Sequence, residues 1–331
     1  RPDIRAAFAR DLELFLWIAG KIETRFPEFR RLRPLEMVAT LAASVEFELD
    51  LRYEAAAAEE LKQNMASEPG IFIPAIDWLR TSGEVLTLER INGTPMNDIL
   101  ALRKKGFDFD ALIKIAANAF FQQVFRDGFF HADMHPGNLF VLDDGRIAAI
   151  DCGIMGRLDL ENRIFLAQVL QGFLTEDYET VARVHVRFGI VPPHKSIKEF
   201  AQACRAIGKP ILDKPLNEIS IANLLGQLFK VSKTFEMVLQ PQFLLLQKTM
   251  MLTEGIGRAL NPNINMWKLS EPLITEWGHE NLTPRALLKH KVKKTIRHLV
   301  ELPEVMEKFD LALEKYLADQ EPKYTTKHTT H

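Results

Sequence analysis

The chain has 331 residues, 47% hydrophobic and 26% charged, with 42 Lys and Arg against 44 Asp and Glu for a net charge of −2. This is the composition of a soluble globular protein and excludes a disordered chain, a collagen-like repeat and a disulfide scaffold. The charge balance gives no strong global field that points to nucleic acid, and two distant cysteines, Cys152 and Cys204, point to a reducing compartment.

No apolar run approaches the ~18 residues of a membrane span. The start Arg1-Pro2-Asp3 carries neither an initiator Met nor a signal-peptide pattern, and it reads as the interior of a longer chain. Residues 3–30 read as a helix, because Ile4, Phe8, Leu12, Phe15, Leu16 and Ile18 recur at helical spacing. A second helix is expected from Pro34 to about Met65, favoured by the alanine run Ala55–Ala58. Ile71-Phe72-Ile73 is a short apolar run. Ile76–Leu79 and Glu84–Ile91 read as two strands around the turn Thr81-Ser82-Gly83. Asn92-Gly93 then ends the strand and Pro95 is expected to open a helix. Residues 108–127 predict an amphipathic helix stopped by Gly128. Leu139–Leu142 and Ile147–Ile150 predict a hairpin about the turn Asp143-Asp144-Gly145. Residues 159–315 read as helical, with breaks near Pro192-Pro193, Pro210, Pro215 and Pro262.

The chemistry concentrates around that hairpin. Asp133 and Asn138 sit five apart in the loop before it, and Asp151 stands at its end. A hairpin folds its ends together, so Asn138 and Asp151 are expected side by side. Two hard oxygen donors held this way suit Mg2+, which takes one or two carboxylates plus phosphate oxygens. Asp133 is then placed to accept a proton from an attacking hydroxyl or water. The pattern H-x-D-x-x-x-x-N followed by D-x-G is that of kinase-type phosphotransferases. The competing view is that these are turn-forming Asp and Asn residues. His131 and His135 flank Asp133, but Pro136-Gly137 blocks the helix that would align them as zinc ligands, and His131 is expected to brace the loop. Upstream, Asp50 and Glu54 share a face if their helix is continuous. The plain alternative is a solvated face with Arg52 paired to Glu48.

Three blocks resemble the UbiB/ADCK family of atypical kinase-like proteins: Glu48-Leu49-Asp50-Leu51-Arg52-Tyr53-Glu54-Ala55-Ala56, His131-Ala132-Asp133-Met134-His135-Pro136-Gly137-Asn138, and Ile150-Asp151-Cys152-Gly153. The resemblance runs from residue 1 to about 270, closest to the bacterial UbiB branch. It implies an α+β, protein-kinase-like fold with a mostly helical C-lobe and a partial, truncated N-lobe. The expected division is 1–91 for the partial N-lobe, 92–270 for the helical C-lobe and 271–331 for C-terminal helices and a polar tail. The resemblance makes ATP and Mg2+ the cofactors. By the same resemblance Asp133 matches the catalytic aspartate, Asn138 and Asp151 match the metal ligands, and Glu54 matches the glutamate that pairs with the ATP-binding lysine. Glu48 and Asp50 form the Glu-x-Asp motif, and the segment reaching Glu89, Arg90 and Ile91 falls where the adenine-contacting hinge lies.

Two departures stand out. Cys152 replaces the usual Phe of Asp-Phe-Gly. No Val-Ala-x-Lys strand, nucleotide-covering loop or Lys-x-Gly-Gln block is found. The expectation is therefore an N-terminally truncated chain that alone binds MgATP weakly or not at all.

Only Ile154–Leu158 separates Gly153 from the next helix, which leaves little platform for a peptide. The expected substrate is therefore a small molecule, a lipid or water, and the family resemblance implies a lipid-like quinone precursor and a role supporting ubiquinone biosynthesis. A basic stretch holding Arg285, Lys289, Lys291, Lys293, Lys294 and Arg297 suggests an anionic membrane surface as partner. The expected location is the cytoplasmic side of the inner membrane, peripheral or through segments outside this chain. Other expected partners are ubiquinone biosynthetic enzymes, and no nucleic acid. The alternatives are a pseudokinase-like scaffold for those enzymes and a small-molecule kinase of the aminoglycoside type, which has no use for the Glu48-x-Asp50 motif.

Overall fold

The computed structural model describes residues 4–25, 49–212, 220–238, 240–263 and 266–283, with Leu35, Val38, Ala42, Arg285 and Ala286. The chain falls into two compact units, Arg1–Glu276 and Trp277–His331. The first carries every element that builds the site. Among the described residues, no helix is long and apolar enough to cross a membrane.

Helix α1 spans Ile4–Arg25. The expected second helix is interrupted. Leu49 is in a turn, Asp50 is extended at φ −94 and ψ 99, and α2 begins at Leu51 and runs to Asn64. The Asp50 carboxylate accepts the Arg52 N–H at 3.1 Å. Aspartate competes with helical bonding in a helix interior and satisfies orphan N–H groups at its start, so the chain turns there. Asp50 therefore caps α2 rather than lining a face with Glu54.

Strand β1 is Ile71–Phe72. The two strands expected between Ile76 and Ile91 reduce to one bridge, Ile76 to Leu88. Their antiparallel course survives in the bonds Asp77 N to Thr87 O at 2.9 Å and Glu89 N to Ala75 O at 2.8 Å. Side chains take the remaining backbone groups: Thr81 Oγ1 donates to Asp77 O and Thr87 Oγ1 to Arg80 O, both at 2.8 Å. Such local bonds compete with a ladder.

Gly93–Pro95 forms strand β2, not a helix start. Asp98 caps the next helix, α3 (Ile99–Lys104), by accepting from Ala101 N at 3.0 Å. A proline is tolerated in β2 because it is an edge strand, where a missing N–H breaks no ladder. Helix α4 (Phe109–Phe121) opens on the Asp108 cap, and a π-helical turn over Gln122–Asp127 extends it to Gly128. Strands β3 (Phe129–His131), β4 (Leu139–Leu142), β5 (Ile147–Ala149) and β6 (Met155–Arg157) follow. The main sheet has the order β1-β5-β4-β2, and β3 pairs with β6 in a second sheet. The segment expected as a spacer between Gly153 and the helices is thus partly a strand.

The helical part holds α5 (Leu160–Leu174), α6 (Tyr178–Arg187), α7 (Ile197–Leu212), α8 (Ile221–Lys230), α9 (Pro241–Leu260) and α10 (Met266–Asn281). Pro210 lies within α7 and does not break it there. The basic stretch Lys289–Arg297 lies outside the described residues.

His185 is 2% exposed on α6. It sits edge-on to Phe165 at 4.9 Å and Phe200 at 5.0 Å, with Nδ1 2.8 Å from Val181 O. Burial pushes its pKa from 6.5 down to about 4. The unfolded chain therefore takes up a proton that the folded chain refuses. Stability is full above the unfolded value of 6.5 and falls as the pH drops toward about 4, by on the order of 3 kcal/mol. Urea titrations at several pH values are expected to show this slope, and His185→Gln is expected to flatten it. An equal slope in the variant would remove the assignment.

Candidate functional site

Strand β3 delivers the loop that carries the charged residues. Gln123 in the π-helical turn is 4% exposed and its Oε1 accepts the His131 N–H at 2.9 Å. The π-helical turn, a feature frequent at functional sites, thus holds Gln123 against the strand. His131 is 1% exposed. Its Nδ1 accepts the Asp133 N–H and its Nε2 lies against Ile150 O, both at 3.2 Å. This pairing fits the neutral Nε2–H tautomer, and burial holds its pKa below the usual range despite Ile150 O, Asp151 and Asp133 nearby. One ring therefore ties the Asp133 loop to the residue preceding Asp151.

Asn138 and Asp151 do come together. Leu139 pairs with Ala149, and Ile150 N donates to Asn138 O at 2.9 Å, so the two residues close the open end of the β4–β5 hairpin. Asn138 Nδ2 donates to Asp133 O at 3.2 Å, which directs its amide oxygen away from that carbonyl. Asp151 has φ 61, a left-handed conformation that aspartate tolerates better than most residues. Its carboxylate is exposed on this end.

Glu54 on α2 faces the same end. Its Oε2 lies 3.8 Å from where a Cβ on Gly153 would stand. Burial raises its pKa, the Asp151 carboxylate raises it further, and a bond from the Cys152 backbone lowers it. Cys152 is buried beside both acids, and its thiol is pushed up to about 12. It packs as an uncharged side chain where the family's pattern has Phe.

The donor set suits Mg2+. Among the described residues no three His, Cys, Asp or Glu side chains group to hold a metal ion. An amide and a carboxylate at one hairpin end do not form a closed cage. They match an ion that keeps waters and phosphate oxygens in its shell.

Glu89, Arg90 and Ile91 border a recess of about 350 Å3 with Phe72 and the hairpin turn Asp143–Arg146. The four residues of β4 separate that turn from Asn138, roughly 13 Å of strand. The Glu89 carboxylate accepts from Ala75 N at 3.1 Å. Asp50 pairs with Arg52 at 2.6 Å. Glu48 lies outside the described residues.

One charged group escaped the sequence reading. Lys248 on α9 places Nζ 2.8 Å from Asp133 Oδ1. Next to it, Thr249 is fully buried and its hydroxyl lies 3.0 Å from Ala132 O and 2.9 Å from Leu245 O. No local pattern marks a lysine 115 residues from its partner.

Comparison with known proteins covers both segments that carry these residues. Residues 1–185 match the ABC1 atypical kinase-like domain, which holds Asp133, and residues 204–265 match the UbiB helical domain, which holds Lys248. A Marinobacter nauticus protein named "Probable protein kinase UbiB" is 40% identical over 309 residues, covering 92% of this chain and 56% of that protein. One of the same name from Aeromonas salmonicida is 40% identical over 313 residues, covering 92% and 57%. The chain thus spans just over half the length of these curated relatives. Among solved structures, a Mycobacterium tuberculosis protein in complex with erythromycin has a TM-score of 0.54 at 20% identity. The match covers 82% of this chain and 69% of that one, a likeness of fold. The chain belongs to the ABC1/UbiB family of atypical kinase-like proteins.

Proposed function

We propose that the chain carries the phosphotransfer centre of a UbiB-type kinase or ATPase that uses MgATP. The reading rests on one observation above all: Asp133, Asn138 and Asp151 converge at the open end of one hairpin, joined through His131. In this reading Asn138 and Asp151 hold Mg2+, and the ion supplies charge neutralisation of the phosphate oxygens. Asp133 accepts the proton of the acceptor hydroxyl or water. His131 keeps Asp133 and Asp151 in register. Glu54 stands ready for a cationic partner.

The acceptor is a small molecule, a lipid-like quinone precursor or water. After Gly153 the chain enters β6 at Met155 and α5 at Leu160, so no extended segment is available as a peptide platform. The link to ubiquinone biosynthesis follows from the resemblance of the three motifs.

The test is Asp151→Asn in the protein at its native length. Isothermal titration with ATP is expected to show Mg2+-dependent binding that the variant weakens at least about tenfold, with an unchanged melting temperature. Equal Mg2+-dependent affinity in both proteins would overturn the assignment of Asp151.

A further inference from the structure

We propose that Lys248 is the cation that holds the terminal phosphate of the nucleotide against Asp133, so that the helical domain completes the site of the kinase-like domain. The proposal rests on the phosphotransfer reading above and adds a residue that the motifs do not contain.

The electrostatics favour a cation beside Asp133 in addition to the metal ion held by Asn138 and Asp151. Asp133, Asp151 and Glu54 put three carboxyl groups near one hairpin end. A proton-accepting carboxylate facing a polyphosphate meets like-charge repulsion that grows as water is excluded. The loop His131–Asn138 contains no Lys or Arg to offset it. Of its two imidazoles, His131 is buried and engaged with the loop itself, and His135 Nδ1 accepts from Gly137 N at 3.2 Å. The cation comes instead from α9, at 2.8 Å from Asp133 Oδ1. An ammonium has three donors, and this bond uses one. A phosphate oxygen beside the Asp133 carboxylate lies within reach of another.

The placement is built from the helix. Thr249 lies against the Ala132 carbonyl at 3.0 Å, and Leu246 and Met250 are buried on either side. These contacts fix the rotation of α9 and present Lys248 at the protein surface, where its side chain is 51% exposed. An ion pair this open to solvent adds little to stability. Its position beside the proton acceptor is therefore better explained by the site than by the fold.

In the transfer, the acceptor hydroxyl gives its proton to Asp133 as its oxygen bonds to the terminal phosphorus. The bond from that phosphorus to the bridging oxygen breaks, and its electron pair leaves with the nucleoside diphosphate. Lys248 donates to the non-bridging oxygens throughout.

A group that touches only the terminal phosphate distinguishes triphosphate from diphosphate. Wild type, Lys248→Met and Lys248→Arg, at native length, are titrated with MgADP and with the non-hydrolysable triphosphate analogue MgAMP-PNP. Lys248→Met is expected to weaken the triphosphate analogue about 10- to 100-fold and MgADP less than about twofold, the loss of one charge-assisted bond. Lys248→Arg is expected to restore most of the difference, and melting temperatures are expected to stay close. Equal loss for both nucleotides, or no loss for either, overturns the proposal. If Asp151→Asn abolishes Mg2+-dependent binding while Lys248→Met leaves the preference unchanged, the phosphotransfer reading stands and the role of Lys248 falls. If the wild type binds neither nucleotide, both fall together.

Discussion

Asp133→Asn is expected to lower turnover about 100- to 10,000-fold, the range contributed by a positioned proton acceptor. The change is nearly isosteric. An amide oxygen still accepts from Lys248, and the backbone bonds Asp133 N to His131 Nδ1 and Asn138 Nδ2 to Asp133 O do not involve the side chain. What disappears is the ability to take a proton and the charge that pairs with Lys248. That pair is partly exposed, 51% and 31% for its two side chains, so its loss costs at most about 1 kcal/mol of stability. The expected signature is therefore a near-normal melting temperature, near-normal nucleotide affinity and a collapse of product formation in single-turnover assays. Unchanged turnover would remove Asp133 from the chemistry and favour a nucleotide-sensing scaffold, in which these acids bind but do not react.

Much of this arrangement is legible from residues alone because one element fixes it. A turn of Asp143-Asp144-Gly145 between two short apolar runs leaves little choice of register, and β4 and β5 pair as that turn dictates. Register then brings Asn138 and Asp151 together. The features that were not legible depend on competition or on distance. Asp50 is helix-compatible by neighbour spacing, yet its side chain bonds to the backbone at Arg52 and starts a helix instead. Pro95 looks like a helix opener until β2 is known to be an edge strand. The strand β6 is three residues long and gains its identity only by pairing with β3. Lys248 has the longest separation of all. Its relevance depends on how α9 seats on Ala132, and periodicity within α9 carries no information about that contact. The family motifs, for the same reason, point to the loop acids and not to the cation that meets them.

The largest structural effect is expected from Gly128→Ala. Gly128 ends the π-helical turn at φ 65 and opens β3. A left-handed conformation costs a Cβ-bearing residue about 1 kcal/mol. Space is the greater problem. A Cβ on Gly128 would lie 2.2 Å from the Leu158 carbonyl oxygen and 3.0 Å from Arg163 Nε. The carbonyl belongs to backbone that is itself tied down, because Leu158 N donates to Gly128 O at 2.8 Å. Arg163 is held as well, donating to Phe125 O at 3.0 Å and Arg126 O at 2.7 Å. Overpacking against groups that cannot yield adds about 3 kcal/mol or more, for a total of about 4 kcal/mol. Gly145 separates the two causes. It sits at φ 86 in the hairpin turn with nothing within 4 Å of its added Cβ, so Gly145→Ala carries the conformational cost alone, about 1 kcal/mol. Denaturant unfolding of both variants is expected to show that difference, and equal losses would assign the effect to conformation instead of to the clash. The consequence reaches the site. Gly128 is three residues before His131 and five before Asp133. Any shift that relieves the clash moves β3, and with it the imidazole that holds Asp133 and Asp151 together.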